Sequence, residues 1–172
     1  MRFEEKTVKE NVVFKGRILT LKDDEVLLPD GKTGKREIVE HSGGSAVLCE
    51  KDGKILMVKQ FRYAYKEELW EIPAGKVNVG EDPLLTAYRE LEEEGGVTAD
   101  EMELMFTMYP SPGYSAEKIR IYRAKGLKAG KAHLDEDEFL TAEWIDKSVL
   151  KEMIKNGEIK DGKTLVALLA IL

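Results

Sequence analysis

The sequence predicts an α/β protein: a mixed sheet between helices, preceded by a run of antiparallel strands. Three observations predict it. Short β-branched and apolar runs alternate with turn signals through residues 4–63. A capped helical segment occupies residues 82–95, and further strands follow it at about 103–109, 118–124 and 139–145, before two closing helical segments.

Residues 1–41 read as antiparallel strands: 4–8, 11–15, 17–22, 25–28 and 36–41. Asp23-Asp24 reads as a turn, and Pro29-Asp30-Gly31-Lys32 as the turn of a hairpin joining 25–28 to 36–41. This section is polar and small, so it needs a partner surface. Residues 42–172 form the main domain. Ser45–Glu50 and Lys54–Phe61 flank the turn Lys51-Asp52-Gly53, and Leu69–Ile72 leads into Pro73-Ala74-Gly75. Asp146 is positioned to cap a helix running to Asn156 and stopped by Gly157, and a last helix starts near Lys163.

Composition narrows the function. At 172 residues the chain has room for one sizeable core. A net charge of −6 argues against a nucleic-acid surface, and an anionic substrate would need local arginines or a bridging cation. The single cysteine, Cys49, lies in an apolar run and fits a buried residue in a reducing cytoplasm. No signal peptide is visible after the charged start, and the apolar run 165–172 is too short to cross a bilayer.

The central stretch is GKVNVGEDPLLTAYRELEEEGGV, residues 75–97. Asp82-Pro83 starts a helix and Gly95-Gly96 stops it. Leu84, Tyr88 and Leu91 supply a buried stripe, while Glu90 and Glu94 share a face with Glu93 beside them. Crowding these carboxylates near a helix C-terminus is unfavourable by a few tenths of a kcal/mol per like-charged pair, roughly. A hard divalent cation would relieve it, because Mg²⁺ takes carboxylate oxygens, water and phosphate. The plain alternative is a solvated charged face.

Gly75, Glu81, Arg89-Glu90-Leu91, Glu93-Glu94 and Gly96-Val97 are spaced as in the Nudix box, and the stretch resembles that family at every specified position. The resemblance implies the Nudix α/β/α sandwich and a pyrophosphohydrolase using Mg²⁺ or Mn²⁺. It implies metal ligation by Glu90, Glu94 and the Ala74 carbonyl, with Glu93 a further catalytic carboxylate. Arg89 would orient these carboxylates and Glu81 would support them. Ser111-Pro112-Gly113 with Glu117 resembles the ADP-ribose pyrophosphatase branch, in which a proline falls about sixteen residues beyond the box glycine, here Gly96. That branch implies hydrolysis of ADP-ribose to AMP and ribose 5-phosphate, with other NDP-sugars as the alternative.

The branch resemblance extends to Asp135-Glu136-Asp137-Glu138, a mobile acidic loop in the family. Glu136 would be the general base and Glu138 a metal ligand, and the two assignments are exchangeable. Arg36 and Arg62 would bind pyrophosphate or stack on adenine, Glu37 would accept from the adenine amino group, and Arg17-Ile18 would wall the adenosine site. Ser111, Gly113 and Glu117 complete the substrate-binding candidates. For each arginine a surface ion pair is the alternative. His41, His133, Trp70 and Trp144 read as structural. The resemblance also implies a homodimer through the N-terminal strands. A non-catalytic ADP-ribose-sensing module is disfavoured, because the box is intact and the chain to Leu172 holds no room for a DNA-binding domain.

Overall fold

The computed structural model describes residues 3–134 and 138–172. The chain divides into two compact units, Met1–Gly43 with Tyr109–Lys118, and Gly44–Met108 with Ile119–Leu172.

The first unit is a four-stranded antiparallel sheet. Strands β1 (Lys6–Lys9), β2 (Val12–Lys15) and β4 (Thr33–His41) all pair with the long β3 (Leu19–Leu27). The hairpin expected around Pro29–Lys32 is present. Leu28 N donates to Lys32 O and Gly31 N to Leu28 O, with Gly31 at φ +85°. Asp23-Asp24 is not a turn but the middle of β3. Both aspartates find partners that make a strand tolerable. Lys35 Nζ lies 2.6 Å from Asp23, and buried Asp24 accepts the Asn11 N–H at 2.9 Å. The segment 109–118 joins this sheet beside Val39, which donates to Tyr114 O and accepts from Ala116 N.

The second unit is the α/β/α sandwich. Its mixed sheet runs β10 (Glu101–Met108), β11 (Ile119–Lys125), β5 (Gly44–Lys51), β6 (Lys54–Arg62) and β13 (Leu140–Asp146), with β11 and β5 parallel. A small ladder, β9 (Val97–Thr98) with β12 (Lys128–Ala129), lies outside it. Asp52 and Gly53 both have positive φ, the geometry of a tight β5–β6 hairpin. Alternate side chains serve the two faces. Ala46, Leu48, Ile55, Met57 and Ile121 pack with Leu150 and Met153 of α2 (Lys147–Lys155) and Ala167 and Leu168 of α3 (Gly162–Leu169). Val47, Cys49, Leu56 and Tyr122 pack on Ala87 and Leu91 of α1 (Pro83–Gly95). Asp146 holds the N-cap position of α2, but its side chain makes no capping hydrogen bond.

One departure from a regular sheet positions the site. β6 pairs with β5 only at the hairpin, then with β7 (Glu67–Glu71). β8 (Ala74–Lys76) takes the adjacent edge of β5. The Ile72-Pro73 link therefore crosses from one strand edge to the other and delivers Ala74 and Gly75 in front of α1.

Candidate active site

α1 forms as its sequence requires. Asp82 accepts the Leu84 N–H at 2.9 Å, Pro83 follows, and Gly96 closes the helix in the left-handed region at φ 60°. Leu91 is buried, and Leu84 and Tyr88 are partly so. The acidic face is not a solvated one. Glu90 and Glu94 are 5% and 3% exposed, on the side of the helix that also buries Thr86 and Ala87.

Each carboxylate has a defined anchor. Glu94 Oε2 accepts the Ala74 N–H at 2.8 Å. The Glu90 carboxylate lies against Gly75, where a Cβ would fall 1.9 Å from Oε1; only glycine admits it. Arg89 Nη1 donates to Glu90 Oε1 and Glu93 Oε2, each at 2.7 Å, and Nε donates to Glu81 Oε1 at 3.3 Å. Glu81 is fixed in turn by the Asn78 N–H at 3.0 Å. Arg89 thus gathers three of the box carboxylates, and the Ala74 backbone holds Glu94.

Burial dominates the electrostatics. Desolvation pushes Glu90 up to about 7 against the pull of Arg89, and Glu93 and Glu138 push the same way. Desolvation pushes Glu94 up to about 8, opposed by the Ala74 N–H and reinforced by Glu90 and Glu138. Glu138, which is exposed, is therefore within electrostatic reach of both. Glu136 lies outside the described residues.

The residues present fit a divalent cation. They are hard oxygen donors, held close together and short of water, and ionising both is unfavourable without added positive charge. Among the described residues no group of three or more His, Cys, Asp or Glu side chains is arranged to hold a metal ion.

A stability signature follows. In the folded, metal-free protein both carboxylates keep their protons above the ordinary value of 4.5, so the unfolded state releases protons first as pH rises. Their contribution to stability is full below about pH 4.5 and is lost as pH climbs through about 7 and 8. Between pH 5 and 8.5, the metal-free Tm should fall by several degrees more than that of a Glu90→Gln/Glu94→Gln variant, on the order of 5 °C. Parallel Tm curves would refute this.

The candidates elsewhere separate into the two units. In the first, Arg17 and Ile18 are exposed at the β2–β3 turn. Arg36 takes the ion-pair alternative: its Nε donates to Glu5 Oε2 at 2.8 Å and its Nη2 also contacts Glu5. Glu37 beside it is exposed. The Ser111 carbonyl accepts from Tyr114 N and Ser115 N, and the Glu117 N–H donates to Ser115 Oγ at 3.2 Å. Glu117 Oε1 lies 3.4 Å from His41 Nδ1. A Cβ at Gly113 would meet open space, so local packing does not require glycine there. The ladder to Val39 brings the Ser111–Glu117 loop to the strand that carries Arg36 and Glu37.

In the second unit, Arg62 also has a carboxylate partner, though a buried one. Its Nε and Nη2 donate to the two oxygens of Glu71, each at 2.6 Å, and Glu71 is 1% exposed. Sequence reading missed Glu71, and missed Lys163 except as a helix start. The signal available was β7 itself, where Leu69 and Glu71 alternate inward and one of the two is charged.

The NUDIX domain model matches residues 39–168, and a nucleoside diphosphate sugar hydrolase N-terminal domain model matches residues 5–39. The chain belongs to the Nudix family. This Nudix chain is 46% identical over 168 residues to a methanol dehydrogenase activator of Bacillus methanolicus, covering 96% of the chain and 91% of the relative. It is 42% identical over 168 residues to an ADP-ribose pyrophosphatase of Bacillus subtilis (strain 168), with the same coverage. Its fold is similar to that of an ADP compounds hydrolase crystal structure, at a TM-score of 0.84 and 17% identity, covering 98% of this chain and 92% of that one. The box carboxylates drawn together by Arg89 are thus those of a Nudix fold.

Proposed function

We propose that the chain hydrolyses the diphosphate of ADP-ribose to AMP and ribose 5-phosphate, using Mg²⁺ or Mn²⁺. The observation that carries this reading is the buried Glu90–Glu94 pair against Ala74 and Gly75. It is a site that accumulates negative charge where a diphosphate substrate would bring more. Such a site is workable only with a bridging cation. When bound, the cation supplies charge neutralisation and lowers the pKa of water. Glu90, Glu94, Glu138 and the Ala74 carbonyl would hold it, and Arg89 and Glu93 fix the geometry. Glu136 is the proposed general base, exchangeable with Glu138.

ADP-ribose is favoured over other NDP-sugars by the 42% identical pyrophosphatase relative. The match to a nucleoside diphosphate sugar hydrolase N-terminal domain keeps those sugars as the alternative. Arg17, Ile18, Arg36, Glu37, Arg62, Ser111, Gly113 and Glu117 are the residues we assign to substrate binding. Release of AMP and ribose 5-phosphate, measured over a panel of NDP-sugars with and without Mg²⁺, tests the reading. Absence of Mg²⁺-dependent AMP release from ADP-ribose would end it. Glu136→Gln should lower kcat at least ~10²-fold, with KM little changed. Glu138→Gln should instead raise the Mg²⁺ concentration for half activity; exchanged phenotypes would exchange the two roles.

The 46% identical methanol dehydrogenase activator favours a second reading, in which the chain also acts on a dehydrogenase. A methanol dehydrogenase assay with the wild type and Glu94→Gln separates it. Stimulation by both proteins would mean activation without hydrolysis.

A homodimer through residues 1–41 belongs to the same proposal. β1 and β2 are exposed along their whole length, and Val8, Val12, Val13, Phe14 and Ile18 present apolar surface there. Light scattering should give twice the 19.4 kDa chain mass; a fully active monomer at nanomolar concentration would exclude it. We place the protein in the cytoplasm, consistent with a single cysteine whose thiol burial pushes up to about 12. Among the described residues no helix is long and apolar enough to cross a membrane.

A further inference from the structure

Two buried charged side chains outside the box, Glu71 and Lys163, are unused by the reaction described above. They meet at the first turn of α3, in a contact that spans 92 positions of the chain. Lys163 Nζ contacts Glu71 Oε2 and lies 3.0 Å from Asp161 Oδ2. The neighbouring Thr164 hydroxyl accepts the Ile72 N–H at 2.9 Å and donates to Asp161 Oδ2 at 2.6 Å. Asp161 also accepts the Thr164 N–H at 2.9 Å, so the hydroxyl has one available orientation.

Following the link residue by residue, each position is pinned from outside. The Glu71 carboxylate is held by Arg62 and Lys163, the Ile72 N–H by Thr164, the Pro73 carbonyl by Val47 N at 2.8 Å, and the Ala74 N–H by Glu94. Ile72 and Thr164 are both fully buried, so no solvent replaces the hydroxyl if it is removed.

We propose that Lys163 and Thr164 are positioning residues for the cation site, setting the Glu71–Ala74 link so that Ala74 orients Glu94. This rests on the reading that Glu94 and Ala74 hold a divalent cation. The sign of the effect separates positioning from simple electrostatics. Lys163 carries positive charge toward Glu94, so removing that charge alone would tighten cation binding. Loosening the link would weaken it, as loss of outer-layer partners does at metal sites.

The test uses Mn²⁺ alone, without substrate, and reads the free-ion electron paramagnetic resonance signal. It compares wild type, Glu94→Gln, Thr164→Val, Thr164→Ser and Lys163→Gln, each well below its own Tm. Thr164→Val and Lys163→Gln should weaken Mn²⁺ binding by about tenfold or more, whereas Thr164→Ser, which keeps the hydroxyl, should stay within about threefold of wild type. The Gln amide stops one bond short of the Lys163 ammonium, so Lys163→Gln loosens the hold on Glu71 as well as removing the charge, and it carries the test if Thr164→Val does not fold. Unchanged or tighter binding in the variants, with only Tm lowered, would overturn the proposal. If wild type and Glu94→Gln bind Mn²⁺ equally, the metal reading itself has failed, a result distinct from failure of the positioning role.

Discussion

Replacing Glu94 by Gln is expected to lower turnover at least ~10²-fold at saturating Mg²⁺, the scale of losing one charged stabilising group, while the metal-free protein becomes more stable. Gln keeps the shape and an oxygen for the Ala74 N–H. What it removes is a negative charge at a position 3% exposed, where desolvation pushes the carboxyl up to about 8. At pH 8.5 the metal-free wild type must ionise this group in the fold, and the variant does not. Its Tm should therefore exceed that of wild type at pH 8.5 and converge with it near pH 5. Opposite signs for stability and activity are expected where a side chain serves function at the expense of the fold. Calorimetry and AMP release on the same samples test both. Near-normal turnover at saturating Mg²⁺ would remove Glu94 from the site, and a lower Tm at pH 8.5 would refute the burial argument.

The second large effect concerns a residue with no functional group. Gly75→Ala places a methyl where the Glu90 carboxylate now rests, 1.9 Å from Oε1 and 2.1 Å from Cδ. Backbone is not the obstacle; the end of a side chain is, and it can swing away. The variant should fold with a Tm near that of wild type yet lose about 10²-fold in activity, because Glu90 no longer points at the site. The double variant Gly75→Ala/Glu90→Gln should be no worse than the poorer single one, since both changes remove the same group. Multiplicative losses would mean that Gly75 acts independently of Glu90. A severely destabilised Gly75→Ala protein would mean that the strand, not the carboxylate, needs the glycine.

The acidic helix shows how far sequence alone reaches. Spacing places Glu90 and Glu94 on one face, and Asp82, Pro83 and Gly96 set the helix ends, because these are properties of a single turn of chain. The alternating runs at 45–50 and 54–61 likewise specify two strands whatever lies beside them. Spacing cannot say whether that helix face meets water or protein. Burial depends on β5, β6 and β8 arriving from elsewhere, and it turns four ordinary glutamates into a site with two carboxyls near 7 and 8. Asp23-Asp24 fails for the same reason. Two aspartates favour a turn locally, and only partners as distant as Asn11 and Lys35 make a strand acceptable.

Arg36 and Arg62 look alike in sequence, yet one pairs with Glu5 at the surface and the other with buried Glu71. The Glu71–Lys163 and Ile72–Thr164 contacts each span 92 positions. No local pattern encodes such a pair, because its favourable energy exists only after folding has removed both groups from water. The sequence by itself determined the helix, its caps, the main strands and the identity of the box carboxylates. The tertiary structure decided which of them are buried, what holds them, and hence which face of this chain has use for a cation.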